Sequence, residues 1–239
     1  MAASEVPTPN RSATTVAELL AAGRDREAAR LGAGGGPDQE SSAGHPSSDP
    51  HIPPWRGPMD PLAQFDQLGP LLEHVVVGIT PDQLDRPTPC RDFTVRGVLE
   101  HMVGGATAFA AAYRGEPPTE PDLSDPLAAF GPALEQLGVA VSAPGALDRT
   151  VSAPFGDLPG ETFARFVVFD GLVHGWDMAT ATGQPYEPSD QLVAEVDAFA
   201  RQVLDPLRDG QTFAEAVEPG PDATPIERLA AYTGRRPLT

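Results

Sequence analysis

The stretch FVVFDGLVHGWDMATATG, residues 166–183, constrains the fold more than any other part of this chain. Together with Phe163, its Phe166, Val167, Met178 and Ala181 recur at the three-and-four spacing of a helix face turned toward a core. Asp170, His174 and Asp177 stand on that same stripe, at positions an apolar side chain should fill. Taking a carboxylate or an imidazole out of water is costly unless something pairs with it. A fold that buries this helix must therefore also bring partners to these three residues.

Capping and periodicity place further helices around it. Asp60-Pro61, Asp125-Pro126 and Thr224-Pro225 each set a capping residue before proline at the first helical position, and Glu227 completes a capping box with Thr224. The first helix runs from its cap to about residue 79, with Leu68, Leu72, Val75 and Val76 inward, and Gly69-Pro70 predicts a kink or a late start. A second spans Thr94 to about Tyr113 and a third Asp125 to about Val141. The fourth holds the opening stretch and stops near Gly183; a fifth runs from Ser189 to about Leu207. A short capped helix at 224–233 ends at Gly234. The segment DRTVSAPFGDLPG breaks the helical pattern with turn residues and reads as a small hairpin covering one end of a bundle. The fold class is all-α.

Residues 1–58 are dominated by Ala, Gly, Ser and Pro and offer too little apolar surface to offset the entropy of ordering. They read as a disordered leader with one short helix inside it, TTVAELLAAGRDREAARL, ahead of a single domain at 59–239. The net charge is −18 and there is no lysine, so no basic stripe exists to neutralise a nucleic acid or an anionic membrane. No apolar run reaches the length of a membrane span, and no secretory signal opens the chain. A single cysteine, Cys90, leaves no internal disulfide. The expectation is a cytoplasmic protein; its oligomeric state is not legible.

Asp170 and His174 lie four residues apart, one turn along the same helix face. Bundle cores use that spacing to present two ligands to one metal ion, with a third from a neighbouring helix. His45 and His51 fall in the leader, which leaves His74 and His101. His101 shares a row with Val98 and Gly105, and Gly104 and Gly105 leave room for a helix or a ligand to come close. On spacing alone, a hydrogen-bonded core pair is the commoner use of such residues.

Three longer stretches point further: TPCRDFTVRGVLEHMVGG (88–105), FDGLVHGWDMATATG (169–183) and TPIERLAAYTGRRP (224–237). In that order they resemble a branch of the DinB-like superfamily, that of the mycothiol-dependent maleylpyruvate isomerase N-terminal domain and its short metal-binding relatives. The resemblance covers about residues 59–237. It implies a four-helix bundle with one divalent metal held by His101, Asp170 and His174; the isomerase looks as if it carries glutamate where this chain has Asp170. Two nitrogens, one carboxylate and water suit zinc first, and nickel or iron would also tolerate them. An open position on such an ion favours a thiolate, and the superfamily's thiol-dependent transferases and isomerases look as if they use mycothiol or bacillithiol. Arginine in place of every lysine, with abundant Ala, Gly and Pro, fits a GC-rich coding bias and so mycothiol.

Around this constellation, Asp177 reads equally as the acceptor for a ligand histidine's free N–H and as a cap on a backbone group. Trp176 and Cys90 read as packing, and the two arginines of TGRRP as partners of an acidic body. Two functions stand side by side: a thiol-dependent transferase or isomerase acting on a small neutral electrophile, and a non-catalytic metal-binding bundle serving as sensor, structural site or interaction module. They differ at the fourth coordination position, open in an enzyme and closed in a structural site, with Asp177 or His74 as the residues that would close it.

Overall fold

The computed structural model describes residues 57–91, 93–153, 156–205, 208, 214–236 and 238. The expected leader and its short helix lie outside the described residues, apart from positions 57 and 58. Helix α1, Pro61–Val77, begins where Asp60 accepts the Leu62 amide at 2.7 Å. Helices α2, Val95–Arg114, and α3, Pro126–Val141, start the same way, with Thr94 accepting from Gly97 at 3.2 Å and Asp125 from Ala128 at 3.1 Å. Each such cap contributes about 1 kcal/mol.

Of the kink or late start expected at Gly69-Pro70, the late start does not occur, for the helix begins at Pro61 and runs through Pro70. Both Pro70 and Asp66 are exposed, so water can serve the Asp66 carbonyl that proline leaves without an intrahelical donor. Strands β1, Thr150–Ala153, and β2, Gly156–Pro159, form an antiparallel hairpin with Val151 opposite Leu158, both buried. It leads directly into α4, Gly160–Thr182. Helix α5, Asp190–Val203, ends earlier than its sequence pattern suggests, and Leu207 lies outside the described residues. Helix α6, Pro225–Tyr232, opens on the expected box: Glu227 accepts the Thr224 amide at 2.7 Å and Thr224 accepts the Glu227 amide at 3.4 Å.

Helices α1 to α4 make a four-helix bundle whose contacts run in a ring, α1 to α4, α4 to α2, α2 to α3 and α3 back to α1. Helices α5 and α6 then pack on α4 from outside the ring. With neighbours on so many sides, α4 is buried on nearly every face, which is why its polar residues are buried too. Two glycines let the neighbours in. A Cβ on Gly171 would stand 2.8 Å from Leu68 of α1, and one on Gly175 would stand 2.8 Å from Leu72 and 2.5 Å from the Tyr186 hydroxyl. Among the described residues, no helix is long and apolar enough to cross a membrane.

Candidate metal centre

Asp170 and His174 leave α4 one turn apart, and His101 reaches them from α2. His101 Nε2 lies 3.3 Å from Asp170 Oδ1, and His174 Nε2 lies 3.5 Å from that same oxygen. The two imidazole centroids are 4.8 Å apart. Phe93, just ahead of α2, stands edge-on to His101 at 5.8 Å and tilted against His174 at 6.2 Å, walling the pair on one side. His174 is buried, whereas the Asp170 side chain keeps 38% of its surface exposed. The cluster therefore opens to solvent at the carboxylate.

The other face of His174 is closed by a second charged pair. His174 Nδ1 lies 3.0 Å from Asp177 Oδ2, and Arg235, in the tail behind α6, donates to the same oxygen from Nε at 3.3 Å and Nη2 at 3.2 Å. Asp177 has no exposed surface. Burial works to raise its pKa, but the charge of Arg235 and the bond from His174 outweigh that and hold it below the usual carboxylate range. An ionised carboxylate only accepts, so His174 donates its proton from Nδ1.

That assignment fixes the opposite nitrogen. Burial lowers the His174 pKa, and the nearby positive charges of His101 and Arg235 add to it against the pull of Asp170 and Asp177. A neutral His174 with its hydrogen on Nδ1 turns a bare lone pair at Nε2 toward Asp170 Oδ1, another acceptor. Two acceptors 3.5 Å apart repel unless a cation lies between them. Burial works to raise the Asp170 pKa, but the charge of His101 and the bond to it prevail and keep Asp170 well below its ordinary value. Burial disfavours charge on His101, yet Asp170 beside it prevails and raises the His101 pKa.

The donor set fits a metal ion. Neighbouring donors about 2.0–2.1 Å from a tetrahedral ion stand about 3.3–3.4 Å apart, and the two distances to Asp170 Oδ1 are 3.3 and 3.5 Å. One ligand atom from each of His101, Asp170 and His174 lies within 4.8 Å of the others, and among the described residues no fourth His, Cys, Asp or Glu joins that trio. Asp177 is engaged on the far nitrogen of His174, and His74 is exposed on α1, so neither closes the site.

Two neighbours were not assigned to this site from sequence. Cys90 is half-buried, and its sulfur lies within 4.8 Å of ligand atoms of His174 and Asp177. Arg235 is bound to one specific carboxylate rather than to an acidic surface in general. The position of Cys90 inside TPCRDF and of Arg235 inside TGRRP was the available signal. Trp176 packs against the core, as expected.

The family model described as mycothiol maleylpyruvate isomerase N-terminal domain matches residues 65–179, which include all three residues of the open trio. Uncharacterized proteins from two strains of Mycobacterium tuberculosis are each 34% identical over 181 residues, covering 74% of this chain and 98% of theirs. No solved structure matches the chain.

Proposed function

Because the chain belongs to the mycothiol maleylpyruvate isomerase N-terminal domain family, we propose that it holds one divalent ion at His101, Asp170 and His174 and acts as a thiol-dependent transferase or isomerase on a small electrophile. The observation that carries this reading is the convergence of His101 Nε2 and His174 Nε2 on one Asp170 oxygen, at 3.3 and 3.5 Å, with His174 Nδ1 already engaged by Asp177. A bound divalent cation would supply two things, a lowered thiol pKa and polarisation of an oxygen on the second reactant.

The rest falls to side chains. His101 and Asp170 complete the ligand set with His174. Asp177 fixes the His174 tautomer and ring orientation, and Arg235 keeps Asp177 ionised. Phe93 excludes water from one side of the imidazoles. The exposed edge of Asp170 marks the side from which reactants approach. Zinc suits two imidazoles and a carboxylate, with nickel and iron as the other metals such donors accept. Mycothiol is the thiol the family's description indicates, and we place the protein in a cytoplasmic setting with it.

Cobalt substitution tests the reading, since sulfur ligation adds a charge-transfer band that nitrogen and oxygen ligands lack. Mycothiol added to the cobalt-loaded full chain should produce that band. An unchanged spectrum at millimolar thiol would leave a non-catalytic metal-binding bundle as the better account.

A further inference from the structure

The turn ahead of α2 brings a sulfur to the His174–Asp177 pair. Phe93 donates its amide to the Cys90 carbonyl at 3.1 Å, and Thr88 donates its own to the Phe93 carbonyl at 3.0 Å, so the turn that carries Cys90 is pinned. One ligand atom from each of Cys90, His174 and Asp177 lies within 4.8 Å of the others. With zinc-like bond lengths, a sulfur and a nitrogen on opposite sides of one ion stand about 4.3 Å apart, and closer when the angle at the ion bends. Asp177 Oδ1 is buried and has no hydrogen-bond partner among the described residues, while Arg235 and His174 hold only Oδ2. Asp177 can therefore turn an oxygen to an ion without giving up Arg235. Cys90 is half-buried, which leaves the cluster an entrance at that residue.

We propose that Cys90, His174 and Asp177 form a second site, for a monovalent soft cation of the copper(I) kind, and that filling it shuts the trio of His101, Asp170 and His174. Thiolate and imidazole are donors such an ion accepts. Charge selects the valence. The Cys90 thiolate and the Asp177 carboxylate are negative and Arg235 is positive, so a monovalent cation completes the balance. A divalent ion would leave a buried excess of positive charge. On binding, the Cys90 thiol gives its proton to water and its sulfur donates an electron pair to the ion. His174 must offer Nδ1, and a neutral imidazole has a lone pair on only one nitrogen. Its hydrogen therefore passes from Nδ1 to Nε2, the nitrogen that stands 3.5 Å from Asp170 Oδ1. An N–H there has nothing to give a divalent ion, so the two sites exclude each other through one ring. The second site rests on the function above only for what it shuts; its own ligands stand without it.

Silver(I) in buffer free of chloride and thiol is the probe, added at one equivalent to the full chain with nitrogen-15 in its histidines. One silver ion per chain should bind, and the His174 ring should change from its Nδ1–H to its Nε2–H form in the nitrogen-15 spectrum. Cobalt affinity should fall at least about tenfold in the silver-loaded chain, and cobalt should weaken silver binding by the same factor. Cys90→Ser should take up cobalt as the unaltered chain does, with an affinity that one equivalent of silver leaves unchanged. Cys90→Ala gives the same reading should serine disturb the turn. A His174 ring unchanged by silver would overturn the proposal, for the thiol alone would then be the site. Cobalt affinity indifferent to silver would overturn it too. So would an equal loss of cobalt affinity in the cysteine variants, which would put silver in the trio itself. Failure of the unaltered chain to take up cobalt would overturn the reading of the trio and with it the exclusion, while the silver count and the ring signal, read without cobalt, decide the second site by themselves.

Discussion

Arg235 and Asp177 form an ion pair at 3.2 Å that joins the tail behind α6 to the C-terminal third of α4. Asp177 is fully buried and the Arg235 side chain is 10% exposed, so Asp177 has no water as an alternative partner and Arg235 little. Through Asp177 the pair also sets the hydrogen of His174, so a residue outside the bundle decides which nitrogen faces the candidate metal centre.

Removing one member of such a pair leaves the other buried and uncompensated. Arg235→Gln should destabilise the protein by about 3–5 kcal/mol in guanidinium denaturation. It should also weaken metal binding about 10- to 100-fold in competition with a chelator, because Asp177 no longer holds His174 firmly. Arg235→Lys keeps the charge but loses the forked contact, so it should fall between the two. Wild-type stability in Arg235→Gln would show that the pair does not hold the tail.

Asp177→Asn keeps the side chain's shape but removes its charge, so it loosens the hold on His174 and also leaves Arg235 uncompensated. An amide can offer N–H as well as C=O to His174, so the hydrogen on Nδ1 is no longer enforced. Metal affinity should fall about 10- to 100-fold while the bundle keeps its helical content by circular dichroism. Unchanged affinity would mean that the tautomer is set by something other than Asp177.

Metal uptake should depend on pH through His101. Its pKa is raised, since Asp170 outweighs the burial that disfavours its charge. An ion must displace that proton, so affinity should weaken as pH falls through the raised value, with about one proton released per ion near pH 6 and fewer at higher pH. The metal-free protein carries the opposite signature. Stability from the raised His101 is fully present below about pH 6.5 and is lost as pH rises through the folded-state value. The lowered Asp170 and Asp177 contribute stability above about pH 3.9, lost as pH falls through their folded-state values. Calorimetric titration in buffers of different ionisation enthalpy reads the proton count; affinity independent of pH between about 6 and 8 would contradict the assignment.

The parts of the fold legible in the sequence are those fixed by neighbours along the chain. The caps at Asp60, Asp125 and Thr224 act within three residues, so their residue types alone reveal them. Asp170 and His174 are likewise one helical turn apart. His101 meets Asp170 from 69 positions away, and elimination of the leader histidines together with its motif context singled it out. Nothing local to Arg235 points to Asp177, 58 residues earlier, because the pair exists only once α6 has docked on α4. Gly69-Pro70 did not delay the start of α1 for a related reason: whether a helix can run through a proline depends on whether water reaches the orphaned carbonyl, which is a property of the packed molecule.

The domain boundary proposed at Met59 can be tested by shortening the chain. Met59 is buried, and its carbonyl accepts from the buried Arg165 at 3.0 Å. A chain of residues 57–239 keeps that bond and keeps a new terminal charge away from Arg165. It should match the full chain in melting temperature and metal content. A clear loss in either would place part of the domain ahead of residue 57.

The most direct test of the central claim is metal stoichiometry in the full chain and in two variants. Elemental analysis after cobalt or zinc loading should find one ion per chain, and neither His101→Ala nor His174→Ala should retain it, with both variants still helical by circular dichroism. One tightly held ion in both variants, or none in the unaltered chain, would contradict a metal centre built from His101, Asp170 and His174.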